Sequence, residues 1–438
     1  MGLQYLPRYL QWTCFAIALA PSVWGDCKAG LAAAAKSDYA AALKDFSASA
    51  GQGDACSQYN LGVMYDQGHG VQQNFSESFK WYSLAAKQGY AEAQRNLGLM
   101  YEDAQGVPRD YQEAVKWFRL AADQGVAEAQ YNLGLLYQKG QRVARDYQEA
   151  FKWFGLAAAQ GNAEAQFNLG VMYHQGQGIA KDYGEALHWL RLAADQGEAQ
   201  AQANLGAMYV GGDGVAQDYK EALKWFHLAA DQGDAPAQFS IGDLYDEGQG
   251  VPQNHNEAIV WYRLAADRGF APAEYNLGGM YRQGQGVPRD LKESLKWYRL
   301  AADQGDAQAH QILPALYKES LDWLRVDADK GVASAQNALG VIYAQGLGVP
   351  EDIKQAAKWW QLAANQGDPD AQASLGYLYE SGSGVPQDYA QAYLWYSLIV
   401  ADYPGNASAV EGRQAVAKKM TPAQLAAAQA RVQSWKPQ

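Results

Sequence analysis

The chain is expected to be all-α, an αα-hairpin solenoid of tandem 36-residue units, on the strength of three registers in the sequence. Trp81, Trp117, Trp153, Trp189, Trp225, Trp261 and Trp297 recur at one step of 36 residues. Gly62, Gly98, Gly134, Gly170, Gly206, Gly242 and Gly278 repeat that step, and so do Gly89, Gly125, Gly161, Gly197, Gly233, Gly269 and Gly305. A fixed period of this length marks a short supersecondary unit that buries its apolar face only against its neighbours. Repeats, not domains, are therefore the units to count in 438 residues.

Residues 1–25 stand apart. Arg8 precedes an apolar run from Thr13 to Ala20, then Pro21-Ser22-Val23-Trp24-Gly25 lead to Asp26, the layout of a secretory signal peptide cleaved before Asp26. The run is shorter than the ~18 to 20 residues that span a bilayer. The expectation is an exported mature chain with no integral membrane segment, in the periplasm or, alternatively, secreted. Cys14 leaves with the signal, so Cys27 and Cys56 remain, an even number in a compartment where thiols pair. A Cys27–Cys56 disulfide would stabilise by roughly 3 to 4 kcal/mol in the chain-entropy model; the other reading is two independent small apolar residues. Residues 26–53 form a partial leading unit with Asp45 where the Trp would stand and Phe46 beside it, which suits an N-terminal cap.

The unit from Ala91 to Gly125 shows how the rest is built. Ala93, Leu97, Met100 and Tyr101 share one stripe of a first helix. Gly98 inside it costs about 1 kcal/mol relative to Ala, so close approach of the partner helix backbone is expected to compensate. Ala104 to Arg109 break the period as a loop, and Asp110-Tyr111-Gln112-Glu113 read as a capping box opening a second helix. The cap is Asp or Asn at Asn74, Asp110, Asp146, Asp182, Asp218, Asn254, Asp290, Asp352 and Asp388, with Glu or Gln three residues on. Those carboxylates are thus read as caps and not as a catalytic series. Tyr111, Ala114, Trp117, Phe118, Ala121 and Ala122 give the second helix one apolar face, with the Trp as main anchor, and Gly125 ends it.

The string Ala129-Gln130-Tyr131-Asn132-Leu133-Gly134, the Tyr-x-x-Gly-x-Gly-Val-x-x-Asp of Tyr281 to Asp290, then Ala-x-x-Trp and Ala-Ala-x-x-Gly, resembles the Sel-one-like repeat (SLR), a relative of the tetratricopeptide repeat. The resemblance runs from about residue 28 to 403. It implies antiparallel helix pairs stacked into a right-handed superhelix that serves as a protein-interaction scaffold, with a protein or peptide as partner. On this reading residues 54–305 hold seven units and 332–403 two more. Between them, Trp297 is followed by Trp323, a step of 26 instead of 36, so ten residues are missing from 306–331. The missing part is the loop and cap, and Pro314 takes the packing-glycine position, where it removes a backbone hydrogen bond and bends the axis. An irregular unit, a bend between two stacks, is expected there. Arg142 and Ala104 replace loop glycines, and those loops are expected to turn differently. Residues 404–438 supply capping helices, the last opened by Thr421-Pro422-Ala423-Gln424.

The candidate site is a ladder in the first helices: Asn60, Asn96, Asn132, Asn168, Asn204 and Asn276, with Ser240 in the gap. Repeated amides on one helix of a curved array would line its concave surface and offer donors and acceptors to a bound peptide; alternatively they bond to the next repeat and hold the array together. Beside them stand Tyr59, Tyr131, Phe167, Phe239 and Tyr275, interrupted by Arg95 and Ala203. A net charge of -12 works against nucleic acid as a partner. His69, His174, His188, His227, His255 and His310 have no metal-ligand spacing, and Gly176-Gln177-Gly178 lacks the strand a nucleotide loop needs, so no metal or cofactor is expected. Some cysteine-rich members of the family are described as weak β-lactamases. This chain lacks their paired cysteines and any Ser-x-x-Lys, and a non-catalytic scaffold of the bacterial envelope is expected, with a secreted effector as the alternative.

Overall fold

The computed structural model describes residues 27–140 and 144–437. The signal-like segment 1–25 and Arg142 lie outside the described residues. Among the described residues there are 23 α-helices and no strand. Packing divides the chain into two compact stacks, one up to Asp234 and one from Ala235 onward. That boundary falls inside the 54–305 run of regular repeats.

Within each stack every regular repeat is an antiparallel pair, such as Ala91–Asp103 with Tyr111–Asp123 or Ala271–Gln283 with Leu291–Asp303. Asp110 opens its helix by accepting from the N–H groups of Gln112 at 2.9 Å and Glu113 at 3.2 Å. The reciprocal half of the expected box is replaced. Glu113 turns its carboxylate to the indole N–H of Trp117 at 3.0 Å and to Lys116 at 3.1 Å. Glu149 and Glu185 take the N–H of Trp153 and Trp189 in the same way, at 2.9 and 3.1 Å. A box with both halves made is found at Thr421 and Gln424.

The packing glycines meet a ring, not a backbone. A Cβ on Gly98 would lie 2.6 Å from the Phe118 ring, and one on Gly134 would lie 2.7 Å from that of Phe154. This places the residue after each Trp at the centre of its own repeat, where Tyr82, Phe118, Phe154 and Tyr262 are almost wholly buried. The Trp itself mostly works between repeats: Trp153 packs on the cluster of Phe118 and Leu133, Trp189 on that of Phe154, and Trp297 on that of Tyr262. Trp117 and Trp189 are only half-buried, so the anchor expected at Trp is shared with its neighbour. In the leading hairpin Phe46 fills the same central role against Gly30.

Ala104 adopts φ 60°, ψ 37°, the left-handed conformation that Gly140 and Gly176 take at the same place. Its loop turns as the others do, contrary to the expectation. The second loop glycine presses on the first residue of the preceding repeat's second helix: Gly106 on Phe75, Gly178 on Tyr147, Gly286 on His255. The short unit is a single 23-residue helix, Ala307–Asp329, with Pro314 inside it on an exposed face. Leu316, Tyr317 and Leu324 bury its inner side. Cys27 and Cys56 are joined in a disulfide that ties the leading helix Lys28–Ala35 to Ala55–Gln67. After Asp402, helices Ala407–Ala417 and Pro422–Ser434 follow, and Trp435 meets Trp395 edge-on.

Candidate interaction surface

Beyond the packing of their Trp side chains, neighbouring repeats are joined by a row of buried glutamines that the expected site did not include. Gln58, Gln94, Gln130, Gln166 and Gln202 sit on the buried side of the first helices, each 4 or 5% exposed. Gln130 donates from Nε2 to the Ala122 carbonyl of the preceding repeat at 3.0 Å, and its Oε1 accepts from Gln160 of its own second helix at 2.7 Å. Gln94 does the same with Ala86 and Gln124, Gln166 with Ala158 and Gln196, and Gln202 with Ala194 and Gln232. One amide thereby links three helices and adds a second donor to a carbonyl of the last helical turn, which also accepts from the glycine N–H that follows, as Ala122 does from Gly125 at 3.0 Å. In the second stack Glu274 holds the glutamine position and accepts from Gln304 at 2.7 Å, with its pKa raised by burial. The spacing of 36 residues was the available signal.

The asparagine ladder is not uniform. Asn60 and Asn132 are buried, at 3 and 7% exposed, and Asn60 donates to the Cys56 carbonyl at 2.8 Å. Asn96, half-buried, comes within hydrogen-bonding reach of the Tyr59 and Tyr82 hydroxyls of the preceding repeat. Asn276 donates to Asp243 of the preceding repeat at 3.3 Å. Asn168 and Asn204 make the same backward bond as Asn60, to the Glu164 and Gln200 carbonyls of their own helices at 2.8 Å, but remain half-buried. Ser240 makes the same backward bond to the Pro236 carbonyl at 2.9 Å.

The aromatic row lies half-buried over the repeat centres. Tyr59 stacks on Tyr90 at 4.9 Å, Tyr131 leans on Phe154 at 5.9 Å, and Phe239 contacts Tyr262 and Phe270 at 5.6 and 5.4 Å. Tyr275 meets Tyr298 edge-on at 5.3 Å, and Phe167 packs on the cluster around Leu190. Each ring gives one side to the core and leaves the rest of its surface at the helix face. Acidic groups punctuate this face. Burial pushes the Asp66 carboxyl up to about 6, and that of Asp243 to about 6 although the Tyr262 hydroxyl donates to it at 2.7 Å.

Cys27, Asp54 and Cys56 bring potential ligand atoms within 4.8 Å of one another, but both sulfurs are in the disulfide and Asp54 caps its helix through the Ser57 N–H. Among the described residues no helix is long and apolar enough to cross a membrane.

Stacked helix hairpins that present repeated half-buried side chains define a solenoid of the kind that mediates protein–protein interaction. The Sel1 repeat model matches residues 57–90, 91–126, 127–162, 163–198, 199–234, 235–270, 271–306, 333–368 and 369–399, and the chain belongs to that family. The short unit 307–332 lies in the one internal gap between these matches. Crystal structures show the same architecture. The protective antigen c5321 of uropathogenic Escherichia coli, with an SLR fold, is 36% identical over 94% of this chain and 92% of its own, with a TM-score of 0.62. A Sel1 repeat protein of Oxalobacter formigenes is 32% identical over 56% of this chain and 96% of its own, with a TM-score of 0.52. Among curated proteins none matches the chain. Sel1 repeat proteins are generally non-catalytic scaffolds.

Proposed function

We propose that this protein is an exported, non-catalytic scaffold of the bacterial envelope that holds a protein or peptide partner along the first-helix face of its repeats. One observation carries the reading: the hydrogen bonds that fasten neighbouring repeats run through Gln94, Gln130, Gln166 and Gln202, while Asn168 and Asn204 turn back into their own helices. A half-buried amide row that fastens nothing is available to a peptide backbone, beside Tyr131 and Phe167 as apolar contacts. Asn60 and Asn132 are too buried to share that role.

The test is photocrosslinking in the intact cell, with the reactive group at Phe167 or, on the second helix of the preceding repeat, at Leu156. A partner joined from 167 and lost on Asn168→Ala with Asn204→Ala supports the surface. Unchanged recovery from the double variant rejects it. Fractionation of the same cells reports the compartment. The secreted-effector alternative gains weight because the relative c5321 is described as a protective antigen; accumulation in culture supernatant would favour it over the periplasm. For the β-lactamase alternative, nitrocefin turnover is expected to equal the buffer blank.

A further inference from the structure

The disulfide at the head of the array is built into a place that also suits a metal ion. Cys27 is the N-cap residue of helix Lys28–Ala35, and Cys56 stands in the first turn of Ala55–Gln67, so both sulfurs lie at helix N-termini. Those ends carry the positive pole of the helix dipole and favour a thiolate over a thiol. Both residues are buried. A carboxylate oxygen of Asp54, the N-cap residue before Cys56, comes within 4.8 Å of both sulfurs.

Two details of these side chains go beyond what a disulfide and a cap require. Oδ2 of Asp54 accepts from the Ser57 N–H at 2.9 Å, which completes the cap, while Oδ1 is buried with no hydrogen-bond partner. A buried acceptor left so costs free energy that a cation would recover. Asn60, itself buried, donates from Nδ2 to the Cys56 sulfur at 3.6 Å as well as to the Cys56 carbonyl at 2.8 Å. A donor on a ligand atom is the outer support that metal sites regularly carry. The combination is confined to this repeat: Glu92, Glu128 and Glu164 stand where Cys56 does, and Tyr90 and Val126 where Asp54 does.

We propose that the reduced Cys27 and Cys56, together with Asp54, bind one zinc ion. An external dithiol opens the disulfide: the reductant closes into its own cyclic disulfide, and its two electrons and two protons pass to the sulfurs of Cys27 and Cys56. The two thiols release those protons as the metal binds. Magnesium and calcium take oxygen ligands, whereas two thiolates and one carboxylate in a tetrahedral shell suit zinc, with water in the fourth position. In such a shell the sulfurs stand roughly 3.7 Å apart, a separation that side-chain rotation supplies at the Cα–Cα distance of 6.0 Å. Zinc then takes over the tie of the disulfide, and the leading hairpin stays fastened to the first full repeat in either redox state.

The experiment uses the full chain carrying Cys14→Ser, in which Cys27 and Cys56 are the remaining thiols. It is reduced with dithiothreitol, freed of the reductant under argon and titrated with Co²⁺ as the coloured stand-in for zinc. One equivalent should give sulfur-to-cobalt charge-transfer absorption together with the visible bands of tetrahedral cobalt, and zinc should bleach both. The oxidised chain should give neither. Asp54→Asn keeps an oxygen to cap Ser57 without the charge, and should weaken both metals by about tenfold or more. In hydrogen exchange the reduced chain with a chelator should lose protection over 28–51, and zinc should restore it. Absence of the charge-transfer band from the reduced chain overturns the proposal, as does unchanged affinity in Asp54→Asn. Equal uptake by the oxidised chain overturns it too, since it would mark an adventitious ion only. Dichroism and melting of the oxidised Asp54→Asn chain report its folding; should it fail to fold, Asp54→Ser, which also caps a helix, takes its place. The comparison of reduced and oxidised parent chains decides without any variant at 54.

Discussion

Ala104 is a residue whose backbone, not its contacts, sets its energy: at φ 60° its Cβ crowds the following carbonyl, which costs about 1 to 2 kcal/mol that glycine avoids. Ala104→Gly should therefore raise the urea midpoint by about 1 kcal/mol of stability, and an unchanged midpoint would mean the loop relaxes in solution. The packing glycines pose the opposite problem. Helix propensity favours alanine by about 1 kcal/mol, but a Cβ on Gly134 would stand 2.7 Å from the fully buried Phe154 ring. Overpacking wins, and Gly134→Ala should lose about 1 to 3 kcal/mol. Gly155→Ala, where a Cβ meets nothing within 4 Å, should instead gain about 0.5 to 1 kcal/mol. Equal effects at the two sites would refute the ring contact. Asp243 is governed by pH. Its folded pKa is raised from 3.8 to about 6, so the native state holds the proton more tightly than the unfolded chain, and the group's favourable contribution is full below the unfolded value of 3.8 and lost as pH rises through about 6. Asp243→Asn keeps an acceptor for Tyr262 without the charge. It should melt above the parent by about 1 kcal/mol at pH 8, after allowance for solvent screening, and level with it at pH 4; a gap independent of pH would contradict the buried carboxylate.

Between elements, the glutamine row makes a quantitative claim. Gln130→Ala removes two hydrogen bonds, but the Ala122 carbonyl keeps the Gly125 N–H at 3.0 Å and the exposed Gln160 amide keeps the Leu156 carbonyl at 3.4 Å, so the loss is that of two bonds at a net of about 0.5 to 1.5 kcal/mol each. Gln130→Ala should thus cost more than Gln160→Ala, which removes one of those bonds, and the double variant should cost less than their sum, since the bond the two amides share is lost only once. Full additivity in a double-mutant cycle would show that the two amides do not depend on each other. The same elements show how far sequence reached. Helix pairs, Asp caps and the glycine-bearing loop turns were legible because periodicity, Asp caps and glycine breaks are local properties; the Ala104 loop was not, since the repeat holds it left-handed against its residue type. The place of Phe118 at the repeat centre, and of Trp153 between repeats, was not legible, since two adjacent aromatics on one helix share a stripe until a neighbour decides which is enclosed. The Glu113 to Trp117 bond was hidden for a similar reason: a glutamate at the third helical position fits a capping box equally well. The ladder was visible as a pattern of asparagines. Which of them are enclosed depends on neighbouring side chains, and this separates Asn60 and Asn132 from Asn168 and Asn204.

At the scale of the whole molecule, repeats that touch only their neighbours confine damage to where it is made. The Cys27–Cys56 disulfide closes a loop of separation 29 between the leading hairpin and the first full repeat. In the chain-entropy model its loss removes about 3 to 4 kcal/mol, a large fraction of what a short terminal unit can supply. In a single-core domain a loss of that size would lower the whole unfolding transition. Here the leading hairpin, Lys28–Ala35 with Tyr39–Gly51, adjoins the rest chiefly through the repeat beginning at Ala55. Reduction should accordingly open it by itself: amide exchange should quicken across 28–51 and in the helix Ala55–Gln67, while protection at Leu133, Leu169 and Leu205 in the same stack stays within error. Far-ultraviolet dichroism should lose no more than the helical signal of those terminal helices. Uniform loss of protection along the stack would show that its repeats unfold as one cooperative body, and coupling would then have to travel well beyond the nearest neighbour.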